Sequence, residues 1–331
     1  MSVRVRLFAC ASLVLAAIVG GCGSSTSDDT SAAAEATREF AADNGDVTIP
    51  VDPERVVATG YAVPALIEAD ASLVGISTWE RGLAMMSADD RRTYDELDKV
   101  AGETAASTDY EAIAALEPDL IVIGVPAPVL EDVDMDYLES IAPVVAIGPT
   151  VPDAWRELTQ RQADAAGRLD AFETAEAEYE QKAGELAEKY ATVLDGMRFG
   201  HVGEYGDVAA GTFQREFEGS WGTNIAQDVG VSYYGEVEEK GEGSRSVSEY
   251  PSLEDLPESF AEADAITYSV QPDGTPGPSV QSVLDSGLWA NLPAVEAGRA
   301  FPIRYTEAAT YQSALLTLDS IDEALAPLLD R

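Results

Sequence analysis

The sequence predicts an α/β protein of two lobes separated by a helical connector, and three observations carry that prediction. Short β-rich runs alternate with helical stretches from Asp46 onward, a strand-free segment follows, and a second α/β pattern then begins. Roughly 290 residues of folded chain also exceed what one hydrophobic core usually serves. In the first lobe, residues 55–59 (RVVAT) read as a buried strand, 63–68 as a helix and 73–77 (LVGIS) as a second strand. Val100 and Ala101 end a short third strand, 110–116 is helical, 119–124 (DLIVIG) is a fourth strand, 137–142 is helical and 144–148 is a fifth strand. Strands separated by helices imply a parallel sheet with helices on both faces.

Residues 152–194 contain no strand-like run, and Phe172, Tyr179 and Leu186 recur every seven positions, supported by Tyr190 and Leu194. That spacing predicts a helix with one apolar face, interrupted near Gly167. The second lobe then shows a strand at 198–202, a helix at 224–229, strands at 231–234 and 265–270, a late strand at 300–304, and a last helix at 311–329. The chain therefore divides into a leader (1–21), a tether (22–45), a first lobe (46–151), a connector (152–194) and a second lobe (195–331). A weak internal repeat links the lobes. Thr108-Asp-Tyr-Glu111 and Ser246-Val-Ser-Glu249 both have the form of a helix capping box, and an acidic pair later introduces a strand in each lobe, Glu117-Pro-Asp119 and Glu262-Ala-Asp264. It places Glu111 and Glu249 at equivalent points.

The leader has Arg4 and Arg6 ahead of an apolar run, residues 7–19, closed by Gly20-Gly21-Cys22. The run is too short for a comfortable membrane span and reads as an export signal. Val-Gly-Gly-Cys resembles a bacterial lipobox, in which the cysteine thiol takes the lipid, and the small polar residues after Cys22 suit a flexible tether. Cys10 leaves with the leader, so no disulfide, cysteine-ligated zinc or iron–sulfur centre is expected in the folded body.

Charge and residue inventory exclude more. With 20 Lys+Arg against 60 Asp+Glu, the formal net charge is −40, which disfavours nucleic acid and anionic lipid headgroups as partners. Docking to basic partners and solvation in a salty or alkaline habitat both fit so acidic a surface. The single histidine, His201, removes Ser-His-Asp triads, H-E-x-x-H and multi-histidine metal sites, and sits in a strand-like stretch that suits a structural role. No Walker motif, G-x-G-x-x-G or G-x-S-x-G is present. No enzyme chemistry is indicated.

The segments PERVVATGYAVPALIEAD, YEAIAALEPDLIVIG, IAPVVAIG, Trp155 opening the connector, SVSE, GLWANLPAVEAGRAFPI and LDSIDEAL, in that order, resemble the iron-siderophore and cobalamin substrate-binding proteins of ABC importers over about residues 47–331. The resemblance implies two Rossmann-like lobes joined by a single long interdomain helix, with the ligand in the cleft between them. It implies no intrinsic cofactor, a ferric siderophore complex as ligand, and a monomer lipid-anchored through Cys22 on the extracytoplasmic face of the cell membrane. Haem or cobalamin capture, or a non-transport envelope signalling lipoprotein, are the alternatives. Ferric siderophores are commonly anionic or rich in oxygen acceptors, so arginines and aromatic rings on loops are the groups to seek. Tyr61, Trp79 and Arg81 follow first-lobe strands; Arg215, Trp221 and Arg245 lie in loop-like stretches, and Tyr305 follows the late strand. In the resembling family a glutamate on each lobe pairs with arginines in basic docking loops of the ABC permease subunits, and Glu111 and Glu249 match those places.

Lipidation requires the Cys22 thiol. Cys22→Ala is expected to leave no acylated mature form, checked by metabolic labelling with a lipid precursor; label retained by the variant would refute the anchor.

Overall fold

The computed structural model describes residues 36–330. The leader, Cys22, the tether as far as residue 35 and Arg331 lie outside the described residues. From Thr37 the chain is already folded: β1 (Thr37–Ala42) and β2 (Gly45–Pro50) form an antiparallel hairpin where the tether was expected to extend to residue 45. The hairpin tip covers one edge of the first sheet. Asn44 donates its side-chain amide to the Val144 carbonyl (3.0 Å) and accepts from the Ala146 N–H (2.9 Å), while the Asp43 N–H donates to the Ala146 carbonyl (2.8 Å).

That first sheet contains β3 (Val56–Gly60), β4 (Leu73–Ser77), β5 (Asp98–Ala101), β6 (Leu120–Gly124) and β7 (Val144–Ala146) in the order β5-β4-β3-β6-β7, all parallel. The interior strand β6, between β3 and β7, is buried along its whole length, as a run of Leu, Ile and Val covered on both faces requires. The second sheet contains β8 (Phe199–Gly203), β9 (Gln214–Glu216), β10 (Ser248–Glu249), β11 (Ala265–Val270) and β12 (Ala300–Arg304) in the order β10-β9-β8-β11-β12. Here β8, β11 and β12 are parallel, but β9 and β10 run antiparallel to their neighbours, so this lobe is mixed. The stretch 231–234 makes only an isolated bridge, Phe199 with Tyr233.

Between the sheets run helix Trp155–Ala165 and the 26-residue helix Leu169–Leu194, about 39 Å long at 1.5 Å per residue. The break falls at Gly167, whose φ of +68° suits glycine and turns the chain between the two helices. The seven-residue spacing is realised as burial: Phe172, Tyr179, Leu186, Tyr190 and Leu194 all point into the core. Against them packs helix Tyr311–Leu325, whose first ring lies 5.0 Å from Trp155, 5.4 Å from Phe172 and 5.3 Å from Tyr179, centroid to centroid. Trp155 donates its indole N–H to Asn224 (3.0 Å), so the aromatic cluster is also tied to the second lobe by a satisfied polar tip.

Half of the internal repeat has a physical basis and half does not. Asp119, ahead of β6, accepts the backbone N–H groups of Glu54 (2.7 Å) and Arg55 (3.0 Å). Asp264, ahead of β11, accepts that of Arg198 (2.9 Å), so in each lobe an aspartate ties the start of one parallel strand to the next. The capping boxes are different. Helix Tyr110–Ala115 is capped by Asp109, which accepts from the Ala112 N–H (3.0 Å), and Thr108 lies outside it. Glu249 is not helical at all; it lies in edge strand β10, and the capping box of that region is Ser252 with Asp255. Glu111 and Glu249 therefore occupy different kinds of element.

Candidate functional site

A cleft open to solvent lies between the lobes. Its first-lobe wall is built from the segments that follow β3 and β4, where a parallel sheet presents its loops. Its second-lobe wall comes from Trp221 and the segment from Glu307 to Ser313.

Four of the sequence-predicted residues meet here. The Tyr61 ring stands edge-on to Trp79 (4.9 Å between centroids, 65° between planes) and parallel to Trp221 across the cleft (6.1 Å, 6°). Arg81 is exposed, with its guanidinium carbon 4.0 Å from the Trp79 ring centre and 4.8 Å from that of Tyr61. Burial raises the Tyr61 hydroxyl above its ordinary pKa, with Arg81 opposing, so it stays a neutral donor and acceptor. Trp79 is 6% exposed, and its backbone N–H donates to the Tyr94 hydroxyl (2.9 Å), which fixes the ring from behind. The arrangement offers apolar faces with one planar cation among them, suited to a ligand with an apolar periphery and oxygen acceptors.

The other predicted residues lie elsewhere. Arg215 and Arg245 line a separate, wide depression with Lys240, Glu249 and Tyr250. Arg215 is only partly exposed, pairs with Glu249 at 3.3 Å, and lies over Phe217 (4.6 Å) and Tyr234 (5.2 Å). Tyr305 does not line the cleft; its backbone adopts φ +61°, a left-handed conformation that costs a non-glycine residue about 1–2 kcal/mol. Its carbonyl accepts from the Thr317 hydroxyl (2.7 Å), holding the turn that brings Glu307 to the cleft. Glu111 is exposed and accepts from the Tyr137 hydroxyl (2.9 Å).

Three carboxylates line the cleft without having been singled out from the sequence: Glu68, Asp90 and Glu307. Glu68 ends helix Ala62–Glu68, where the dipole disfavours a carboxylate. It is compensated across the cleft, because it accepts from the Gln312 N–H (3.0 Å) in the first turn of helix Tyr311–Leu325. A glutamate at the wrong end of an otherwise buried helix is the signal that marks it. Burial raises Glu68 to about 7 despite the hydrogen bonds from Thr310 and Gln312. Burial, together with Glu204, likewise raises Glu307 to about 7, and Arg81 opposes that shift.

Beneath Trp221 lies a polar layer that the cleft does not expose. His201 is fully buried, with Nδ1 2.8 Å from Thr267 Oγ1 and Nε2 3.1 Å from Ser269 Oγ. Desolvation lowers it to about 3, so it stands as neutral imidazole, and its burial keeps it from any ligand in the cleft. Beside it, 3.4 Å from Nε2, Glu216 accepts the Gly222 N–H at 2.7 Å. A β-carbon at Gly222 would collide with both His201 and Glu216, so only glycine lets the backbone approach them. Glu216 thus holds the loop that carries Trp221.

Burial raises the Glu216 carboxyl from 4.5 to about 7. A raised folded-state pKa means that its favourable contribution is complete below about 4.5 and is lost as pH climbs through 7; His201, lowered, acts in the opposite sense, losing its contribution as pH falls below about 6.5. Glu216→Gln keeps the acceptor for Gly222. It is expected to gain stability over the parent above pH 7, by up to roughly 3 kcal/mol, with the difference vanishing near pH 4.5. Urea unfolding at pH 5 and pH 8 checks this; a difference independent of pH would refute it.

Residues 56–304 match the model of the periplasmic binding protein family. The iron(3+)-hydroxamate-binding protein YxeB of Bacillus subtilis (strain 168) is 25% identical over 295 residues, which span 87% of this chain and 84% of that protein. The siderophore periplasmic binding protein from the fuscachelin gene cluster of Thermobifida fusca has a similar structure, with 28% identity, a TM-score of 0.67, and coverage of 83% of this chain and 97% of that one. Staphylococcus aureus SirA, solved with staphyloferrin B, shares the fold at 20% identity and a TM-score of 0.64, over 88% of this chain and 99% of its own. With two α/β lobes, an interlobe helix and a cleft between the sheets, the chain belongs to the periplasmic binding protein family.

Proposed function

We propose that this chain is the substrate-binding lipoprotein of an ABC importer, anchored through Cys22 on the extracytoplasmic face of the membrane, and that it captures a ferric siderophore and delivers it to the permease. The observation that carries this reading is the interlobe cleft, lined by Tyr61, Trp79 and Trp221 with the exposed Arg81 over the first two rings, in a member of a binding-protein family. The iron-hydroxamate and fuscachelin-cluster relatives support it. Family membership favours a receptor rather than an enzyme. The lobes at 46–151 and 195–331 would close on the ligand about the 152–194 connector. Arg81 is the arginine this reading places on the ligand, since Arg215 is already held by Glu249.

Tryptophan fluorescence gives a direct test, because Trp79 and Trp221 both line the cleft. Ferric siderophore complexes are expected to quench emission saturably; quenching by haem or cobalamin alone would replace the ligand, and quenching by none would remove the function.

Delivery rests on Glu111 and Glu249, one on each lobe, as the groups that meet basic docking loops of the permease. The exposed Glu111 holds only a hydroxyl, that of Tyr137, and exchanges it readily, whereas Glu249 has to give up its partly buried pairing with Arg215 to dock. Glu111→Ala and Glu249→Gln, the latter keeping an acceptor for Arg215, are expected to bind ligand like the parent yet lower uptake, the double variant most. Normal iron uptake by the double variant would leave both residues with their intramolecular contacts only.

A further inference from the structure

The cleft is aromatic, but its charge is not that of an anion trap. Among the described residues lining it there is one cation, Arg81, against the three carboxylates Glu68, Asp90 and Glu307. Arg81 has no carboxylate within ion-pair distance among the described residues, and its guanidinium lies against the rings of Trp79 and Tyr61. Glu307 is itself flanked by acid, since Glu204 is close enough to disfavour its charge, and the Tyr205 hydroxyl donates to it. The two other arginines that could have shifted this balance, Arg215 and Arg245, line the separate depression.

Iron chelates differ in charge by their chemistry. Three hydroxamates each lose one proton and cancel the ferric charge, and a pendant ammonium makes such a complex cationic. Three catecholates each lose two protons and leave a triply negative complex; citrate complexes are also anionic. We propose that the cleft selects ferric complexes of zero or positive charge, tris-hydroxamates in particular, and rejects polyanionic ones. The proposal rests on the receptor reading above and names its ligand class.

The carboxylates line the cleft itself, so they act on a bound complex at short range, where salt screens them little. A polyanion entering the cleft would be desolvated beside Glu307 and Asp90 with one guanidinium to compensate it. A neutral tris-hydroxamate places its methylene linkers on the partly exposed rings of Tyr61 and Trp221 and offers its chelate oxygens to Arg81. A pendant ammonium finds the carboxylates instead.

The test is titration of the purified protein, by calorimetry and fluorescence at pH 8, where Glu68 and Glu307 are mostly ionised. The probes are a neutral cyclic tris-hydroxamate, a linear tris-hydroxamate with a free ammonium, a tris-catecholate and ferric citrate. The two hydroxamates are expected to bind at least about tenfold more tightly than the two anions. Glu307→Gln with Asp90→Asn should narrow that ratio by strengthening the tris-catecholate. An anionic complex bound as tightly as the hydroxamates overturns the charge selection while the receptor reading stands. A preference unchanged in the double variant assigns selectivity to shape and also overturns it. Failure of all four complexes to bind removes the receptor reading itself.

Discussion

The hydrogen bond between the Gln312 backbone N–H and the Glu68 carboxylate spans the floor of the cleft, and the geometry of the site depends on it. Glu68 belongs to the first lobe, while Thr310 to Ser313 form the capped start of the last helix, where Thr310 and Ser313 already bond each other reciprocally. That helix begins with Tyr311, the ring at the centre of the Trp155, Phe172 and Tyr179 cluster. One short segment is therefore at once cleft wall, helix start and core anchor. Moving the lobes apart would strip a half-buried carboxylate of its donor, a cost that keeps any rearrangement small.

The second wall is held differently. Trp221 faces Tyr61 across the gap, and the loop behind it is fastened by the Glu216 acceptor, with His201, Thr267 and Ser269 filling the layer below. Both titratable groups of that layer are pushed toward their neutral forms by burial. A polar layer of neutral, mutually bonded groups fixes the loop without the solvation cost of an ion pair.

The sequence pattern revealed the parallel strands because burial on both faces demands uninterrupted apolar runs such as LIVIG, and revealed the connector because one buried stripe imposes a seven-residue recurrence. Tyr61, Trp79, Arg81 and Trp221, which the sequence puts on loops, line the cleft because they lie beyond strands or on the facing lobe. The mixed character of the second sheet was not visible, since β9 and β10 are three and two residues long and carry no periodicity. Arg215 carries no strand signal in the sequence for the same reason, yet it lies within β9, and Glu249 opposite it in β10 claims its charge. Glu68, Asp90 and Glu307 were hidden by abundance, three carboxylates among 60, and only the fold distinguishes those that face the cleft. Tyr305 follows strand β12, but what it supplies is a backbone angle, which no side-chain chemistry announces.

The hairpin of β1 and β2 has a mechanical meaning. The chain enters at Thr37, paired with Pro50, and leaves from that same open end, while the tip at Asp43 and Asn44 is bonded to β7. Tension applied at Ala36 therefore loads the ladder one rung at a time and peels it, instead of shearing all rungs together. The first resistances are the bond from the Val51 N–H to the Ala36 carbonyl and the pairing of Arg38 with Asp164 on the helix of the connector, followed by the buried Phe40. A tug on the N-terminal side is thus absorbed in a sacrificial two-stranded element, and the cross-lobe contacts at Glu68 and Gln312 are not on the load path until that element has opened.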